Sequence, residues 1–288
     1  MLSGTFTALI TPFNQDGTVD FKALNDLVEW QVENGVEGIS PVGTTGESPT
    51  LTPKEHLEVI KATVETAAGR VKIIAGTGSN STAEALEFTA EAKELGVDAT
   101  LQVTPYYNKP NAEGLYRHFS KVAELGVPVV LYNVPGRSGK EIPLDVVARL
   151  SANPMIAAIK EAAGSVERVS AIRNLCDLTV LSGDDSLALP MISVGASGVI
   201  SVASNLIPKT MSDFIRTALV GDMPAAREQH RKLYQLFHDL FIDTNPIPAK
   251  IGLALMKRIQ PVFRLPLCEP SEAVTAQLTK TMKALNLI

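Results

Sequence analysis

The chain is poor in cysteine and histidine, and each shortage closes off a class of chemistry. Cys176 and Cys268 are the only thiols among 288 residues. Two thiols exclude a disulfide framework and suit a reducing compartment; both are expected as core or near-core residues. The histidines, His56, His118, His230 and His238, show neither HxH nor HxxxH spacing. With two distant cysteines they form no zinc-type ligand set, so no metal is expected. No GxGxxG turn follows a strand-like run, which removes the dinucleotide fingerprint, and no GxSxG elbow is present for a serine hydrolase. No cofactor is expected. No apolar run approaches the roughly 18 residues that span a bilayer. The start, MLSGTFTALITPF, lacks a basic n-region and has only a short apolar stretch, so a secretory signal is not expected. The predicted setting is soluble and cytoplasmic. Basic residues are not in excess either: a formal charge of −5 argues against nucleic acid as a partner. A pocket can still differ in sign from the whole surface, which leaves small anionic substrates open.

What remains is an ordinary globular composition, 45% hydrophobic and 20% charged, in a chain long enough to bury a large core. Short apolar runs alternate with helical patterns. The runs are TFTALI (5–10), VEGISPVG (36–43), VKIIAG (71–76), ATLQVT (99–104), VPVVLYN (127–133), IAAIK (156–160), LTVLSG (178–183) and GVISV (198–202). They are continuous rather than alternating, as parallel strands buried on both faces are. Phe21, Leu24, Leu27, Val28 and Gln31 keep a helical period, with Asp20 as N-cap and Gly35 as stop. Thr52-Pro53-Lys54-Glu55 reads as a capping box with proline in the first turn, and Ser81-Thr82-Ala83-Glu84 as a second. Eight strands in strict βα alternation predict an α/β fold, a closed (β/α)8 TIM barrel, over a doubly wound open sheet. The strands are used up near residue 202. The remainder is predicted helical, with breaks near Gly221, Asn245-Pro246 and Arg264-Leu265-Pro266. The expected organisation is a catalytic barrel over 1–225 and a C-terminal helical extension over 226–288.

In such barrels the chemistry sits at the carboxyl ends of the strands. Strand two runs into GTTGES (43–48), four into TPYYN (104–108), five into YNVPGR (132–137), six into Lys160-Glu161 and seven into SGDD (182–185). Lys160 ends an apolar run, where lost hydration lowers an ammonium pKa and leaves free amine near neutrality. A free amine attacks ketones to form a Schiff base. The alternatives are a lysine that snorkels to the rim or meets a carboxylate, or one that holds a phosphate. Phosphate sites in these barrels use Gly-rich loops after strands seven and eight, where this chain carries Asp184 and Asp185. Schiff-base chemistry needs proton traffic: the carbinolamine must lose water and the imine must become an enamine. Hydroxyls can shuttle those protons. Tyr132 ends the neighbouring strand and Thr44 lies in a Gly-flanked turn, although packing and capping are ordinary roles for both types. Glycines around Thr44 and Thr45 let backbone N–H groups turn inward as a nest for a carboxylate. Amine, hydroxyls and nest together point to an α-keto acid such as pyruvate.

The segments VGTTGES (42–48), IAGTGSNSTAEA (74–85), VTPYYNKP (103–110), LYNVPGRSG (131–139), IKEAAG (159–164), LSGDD (181–185), GVISV (198–202) and NPIPAK (245–250) span nearly the whole chain. In sequence and order they resemble the dihydrodipicolinate synthase (4-hydroxy-tetrahydrodipicolinate synthase) family. That family lies in the pyruvate-dependent class I aldolase superfamily, which also contains N-acetylneuraminate lyase. GxxGE followed by the strand-end lysine marks the superfamily; the Thr-Thr pair, Tyr-Tyr-Asn and Arg137 point to the synthase subgroup. The resemblance implies condensation of pyruvate with L-aspartate-4-semialdehyde, the first committed step toward diaminopimelate and lysine. It implies that Lys160 forms the pyruvate imine and that Tyr132 is the central proton donor and acceptor. Thr44 would link Tyr132 to Tyr107, which in the family comes from a neighbouring subunit. Thr45 would hold the pyruvate carboxylate by its backbone, with Gly183 and Ile200 lining the pocket. Arg137 would bind the semialdehyde carboxylate, for which a guanidinium fork suits well. A homotetramer, a dimer of dimers, is implied in the same way.

The resemblance also implies an effector site for L-lysine at Ser48, His56, Asn80, Glu84 and Tyr106. Pro49 and Pro53 depart there from the smaller or imidazole-bearing residues common in inhibited members. The rival within the superfamily is a retro-aldolase acting on sialic acid or a 2-keto-3-deoxy sugar acid. The rival outside enzymology is a keto-acid sensor without turnover, which would not need a proton relay.

Overall fold

A computed structural model describes residues 2–288. Eight strands, β1 (Gly4–Ala8), β2 (Gly38–Ser40), β3 (Lys72–Gly76), β4 (Ala99–Val103), β5 (Val129–Asn133), β6 (Ile156–Glu161), β7 (Thr179–Ser182) and β8 (Gly198–Ser201), all pair in parallel. They close in sequence order, β1 pairing with both β2 and β8. Helices cover the outside, so both faces of each strand are buried and the runs carry no polar alternation. The predicted (β/α)8 barrel is therefore the observed fold.

The strand predictions fall within a few residues of their elements except at β2. The apolar run predicts 36–43, but the strand stops at Ser40. Pro41 has no N–H to donate to a ladder, and Val42 turns the chain with φ of 50°. The helix Phe21–Glu33 starts where Asp20 accepts the Ala23 N–H, and Gly35 follows its end with φ of 75°. The first capping box is present: Thr52 and Glu55 bond reciprocally at the start of the helix Pro53–Ala67. The second is not. Ser81 makes no side-chain cap at the helix Thr82–Glu94. Glu84 instead accepts the Ser79 hydroxyl at 2.6 Å, and that hydroxyl accepts the Ser81 N–H.

After β8 the helix Pro208–Leu219 packs on β1 and β8 and completes the barrel. The helices Met223–Asp239, Ile247–Leu255 and Glu272–Ala284 form the extension. The expected division at 225/226 falls inside the first of these. Cys176 is near-core as expected, half-buried and packed against the core; the prediction is corrected for Cys268, which is exposed because it lies in the irregular stretch before the last helix. No helix among the described residues is long and apolar enough to cross a membrane.

Candidate active site

Successive side chains on a strand point to opposite faces. The β5–β6 register pairs Tyr132 with Lys160 and Asn133 with Glu161, so the first pair enters the barrel mouth and the second faces the helices. Lys160 is only 6% exposed. Its Nζ lies 4.3 Å from the centroid of the Tyr132 ring, and it forms no ion pair among the described residues. Gly183, just past β7, is pressed against it: a Cβ there would sit 3.2 Å from Lys160 Cε. Ile200, fully buried, is paired with Phe6 across β8 and β1. Burial pushes the Asp184 carboxyl up, and the positive charge of Lys160 pulls it back. Burial pushes Asp185 up to about 6, against the hydrogen bonds that favour its charged form. It accepts the N–H groups of Val202 and Ala203, securing the chain just beyond Ile200.

The outward pair holds the catalytic strands together from behind. Glu161 is fully buried and accepts from Asn133 Nδ2 at 2.9 and 3.0 Å, from the Ala163 N–H at 2.9 Å and from Arg168 Nε at 3.0 Å. Desolvation raises its pKa, and Arg168 and Asn133 oppose the rise. Arg168 also donates to Glu141 and to the Ile142 carbonyl, which ties in the segment that follows Arg137.

The loop after β2 builds the opposite wall. Thr45 is buried, and its hydroxyl accepts from Asn245 Nδ2 at 3.0 Å. The N–H groups of Thr44 and Thr45 donate to no group among the described residues, which leaves the expected nest open to an anion. Arg137 sits on the short helix Pro135–Ser138 and is exposed. It makes no salt bridge; one guanidinium nitrogen donates to the Asn245 carbonyl at 3.2 Å. The C-terminal extension thus reaches the mouth, which the strand-end residues alone do not indicate.

A cavity of about 570 Å³ is lined by Thr44, Tyr132 and Arg137 and also by Ser48, His56, Glu84 and Tyr106. Lys160, Thr45, Gly183, Ile200, Asn80 and Tyr107 are not among its lining residues. Asn80 lies beside it, its carbonyl accepting from Asn108 Nδ2. His56 stacks on Phe88 with ring centroids 4.5 Å apart, and its Nε2 donates to the Gly76 carbonyl at 2.7 Å. Desolvation lowers its pKa, so the ring is neutral at pH 7. Tyr107 stands apart: it is 91% exposed, with φ of 68°. No hydrogen bond among the described residues joins Tyr132, Thr44 and Tyr107, so a single chain does not assemble the implied relay.

Reasoning from the sequence missed Lys250, which lies in the extension and reaches Glu47 in the β2 loop at 2.5 Å, both side chains fully buried. The signal was available: a cation inside the apolar run IPAKIGLAL (247–255).

Residues 1–285 match the Dihydrodipicolinate synthetase family. The chain belongs to this family. It is 48% identical over the full length of both chains to the 4-hydroxy-tetrahydrodipicolinate synthase of Hydrogenobaculum sp. (strain Y04AAS1). Two solved members of the family are similar to it over nearly their whole length. The chloride-inhibited dihydrodipicolinate synthase from Acinetobacter baumannii, complexed with pyruvate, is 44% identical with a TM-score of 0.98 over 100% of both chains. The enzyme from Cyanidioschyzon merolae with lysine bound is 40% identical with a TM-score of 0.96 over 99% of both chains.

Proposed function

We propose that this chain is a 4-hydroxy-tetrahydrodipicolinate synthase that condenses pyruvate with L-aspartate-4-semialdehyde through a Schiff base at Lys160. The observation that carries this reading is the contrast between two buried lysines. Lys250 meets the Glu47 carboxylate at 2.5 Å, which opposes the lowering of its pKa by burial. Lys160 is also buried but forms no ion pair among the described residues, lies at a strand tip in the mouth and faces the Tyr132 ring.

In this reading the Lys160 amine adds to C2 of pyruvate and the carbinolamine releases water, leaving an imine. The Thr44 and Thr45 amides hold the pyruvate carboxylate. Loss of a C3 proton gives the enamine, whose carbon attacks the aldehyde carbon of the second substrate, and the new alkoxide takes up a proton. Tyr132, at the mouth beside Lys160, serves these transfers. The substrate's own amino group then displaces Lys160 from C2 and closes the ring, so one water is released per turnover. Arg137, unpaired and exposed at the rim, receives the semialdehyde carboxylate. A second copy of the chain supplies Tyr107, whose side chain is 91% exposed in its own chain; a homotetramer built as a dimer of dimers provides such a contact. The part of the cavity lined by Ser48, His56, Glu84 and Tyr106 takes L-lysine as an inhibitor, with the Glu84 carboxylate for its ammonium group. The enzyme works in the cytoplasm, where two unpaired thiols are at home.

Borohydride reduction in the presence of pyruvate, followed by mass spectrometry, tests the imine, and a coupled assay with both substrates, with and without lysine, tests the reaction. Label on Lys160 and turnover of the semialdehyde are expected. A Lys160→Ala protein as active as its parent sinks the reading. Trapping without turnover of the semialdehyde identifies a sensor, and turnover of a sugar acid in its place identifies a retro-aldolase.

A further inference from the structure

The nest-bearing loop is strained at both ends. Val42 and Glu47 are non-glycine residues with φ of 50° and 55°, a conformation costing about 1–3 kcal/mol each, which persists only where the surroundings enforce it. At Glu47 the enforcing group is in the extension. Lys250 Nζ meets Glu47 Oε1 at 2.5 Å with neither side chain exposed, and packs 4.1 Å from the Phe13 ring centroid. The second oxygen, Oε2, is buried without a partner. A buried ion pair is weak support for stability, since desolvation offsets most of its attraction. Its geometry has a more specific consequence. The Glu47 N–H donates to the Thr44 carbonyl at 3.1 Å. That carbonyl and the Thr45 N–H belong to one planar peptide and point in opposite directions. Holding Glu47 therefore fixes the Thr45 N–H pointing away from Glu47, where it donates to no group among the described residues.

We infer that Glu47 and Lys250 are positioning residues: the extension fixes the peptide that receives the keto-acid carboxylate by clamping Glu47. This rests on the Schiff-base reading above. Neighbouring contacts run the same way, since Asn245 holds the Thr45 hydroxyl and Arg264 grips Glu55 and the Thr50 carbonyl. The extension thus grips the loop at three points and the helix that follows it at a fourth.

The test is the double variant Glu47→Gln/Lys250→Met, which removes both charges at nearly constant volume and leaves no ion unpaired, so folding is retained. The pyruvate concentration that half-saturates borohydride trapping of Lys160 is expected to rise about tenfold or more, as is KM for pyruvate, with kcat and KM for the semialdehyde little changed. A purely structural pair would lower the melting temperature and leave the pyruvate dependence alone. If the double variant does not fold, Glu47→Gln alone carries the same expectation. A parent that is trapped, with a folded variant half-saturating at the parental pyruvate concentration, overturns this inference and leaves the Schiff base standing. A parent that pyruvate does not trap at all overturns both.

Discussion

Gly183→Ala probes how tightly the mouth holds its nucleophile. The added Cβ would lie 2.6 Å from Ala162 Cβ, 3.2 Å from the Glu161 carbonyl and 3.2 Å from Lys160 Cε, against about 3.5–4.0 Å for an ordinary carbon contact. Relief needs roughly 1 Å or more at Ala162 and about 0.3–0.8 Å at Lys160, against that 3.5–4.0 Å contact distance, and overpacked sites accommodate such shifts at about 1–3 kcal/mol. The backbone of Gly183 is outside the left-handed region, so the effect is steric. Ala162 cannot give way easily, because its N–H is bonded to the Asn133 carbonyl and Glu161 before it accepts four hydrogen bonds. The Lys160 side chain has no hydrogen-bond partner among the described residues and yields first. At about 2–4 °C per kcal/mol the melting temperature falls by several degrees, while a reacting group misplaced by about 1 Å costs about 100-fold in rate. Circular dichroism is therefore expected to show a folded protein slightly less stable than its parent. Turnover and the borohydride trapping rate should fall about 100-fold. A folded Gly183→Ala enzyme with parental turnover and trapping refutes the claim that Lys160 acts from this position.

Arg137→Ala is expected to raise KM for the semialdehyde by about 10-fold to 100-fold, the loss of a charge-assisted contact, and to leave pyruvate trapping intact; equal trapping in parent and variant checks the second half. Tyr107→Phe is expected to cut turnover, and mixing it with Lys160→Ala subunits to restore part of the activity, because intact Lys160 and intact Tyr107 then meet across an interface; a mixture no more active than its components counts against the shared site. His118 supplies a pH test. Burial lowers its pKa from 6.5 to about 4, its Nδ1 is bonded to the Thr82 hydroxyl and its Nε2 is buried unpaired. The unfolded chain binds the extra proton first, so this group's contribution is fully present above pH 6.5 and is lost as pH falls toward 4, reaching about 3 kcal/mol. Denaturant melts of parent and His118→Asn across that window should converge on acidification; a constant difference between them would contradict the assignment.

The barrel was legible because strands buried on both faces leave continuous apolar runs, and because helices with a strong cap, such as Asp20 and the Thr52–Glu55 box, announce their starts. Legibility failed where the deciding interaction was not encoded in the local pattern. At β2 the apolar run continues through Pro41 and Val42, and the missing Pro41 N–H together with the left-handed turn at Val42 ends the strand. Ser81 and Glu84 have cap spacing, but Ser79 captures both the Ser81 N–H and the Glu84 carboxylate. The two buried lysines show the same boundary between what a sequence carries and what a fold adds. Each is a cation set in an apolar run, and the run alone does not distinguish them. Lys160 stands at a strand tip, which a barrel turns into a mouth, so its position could be read from the order of strands. Lys250 is separated by 203 residues from the carboxylate that neutralises it. Lys250 ends against a carboxylate on a distant loop, whereas Lys160 ends at the mouth against the Tyr132 ring, and only the fold separates the two.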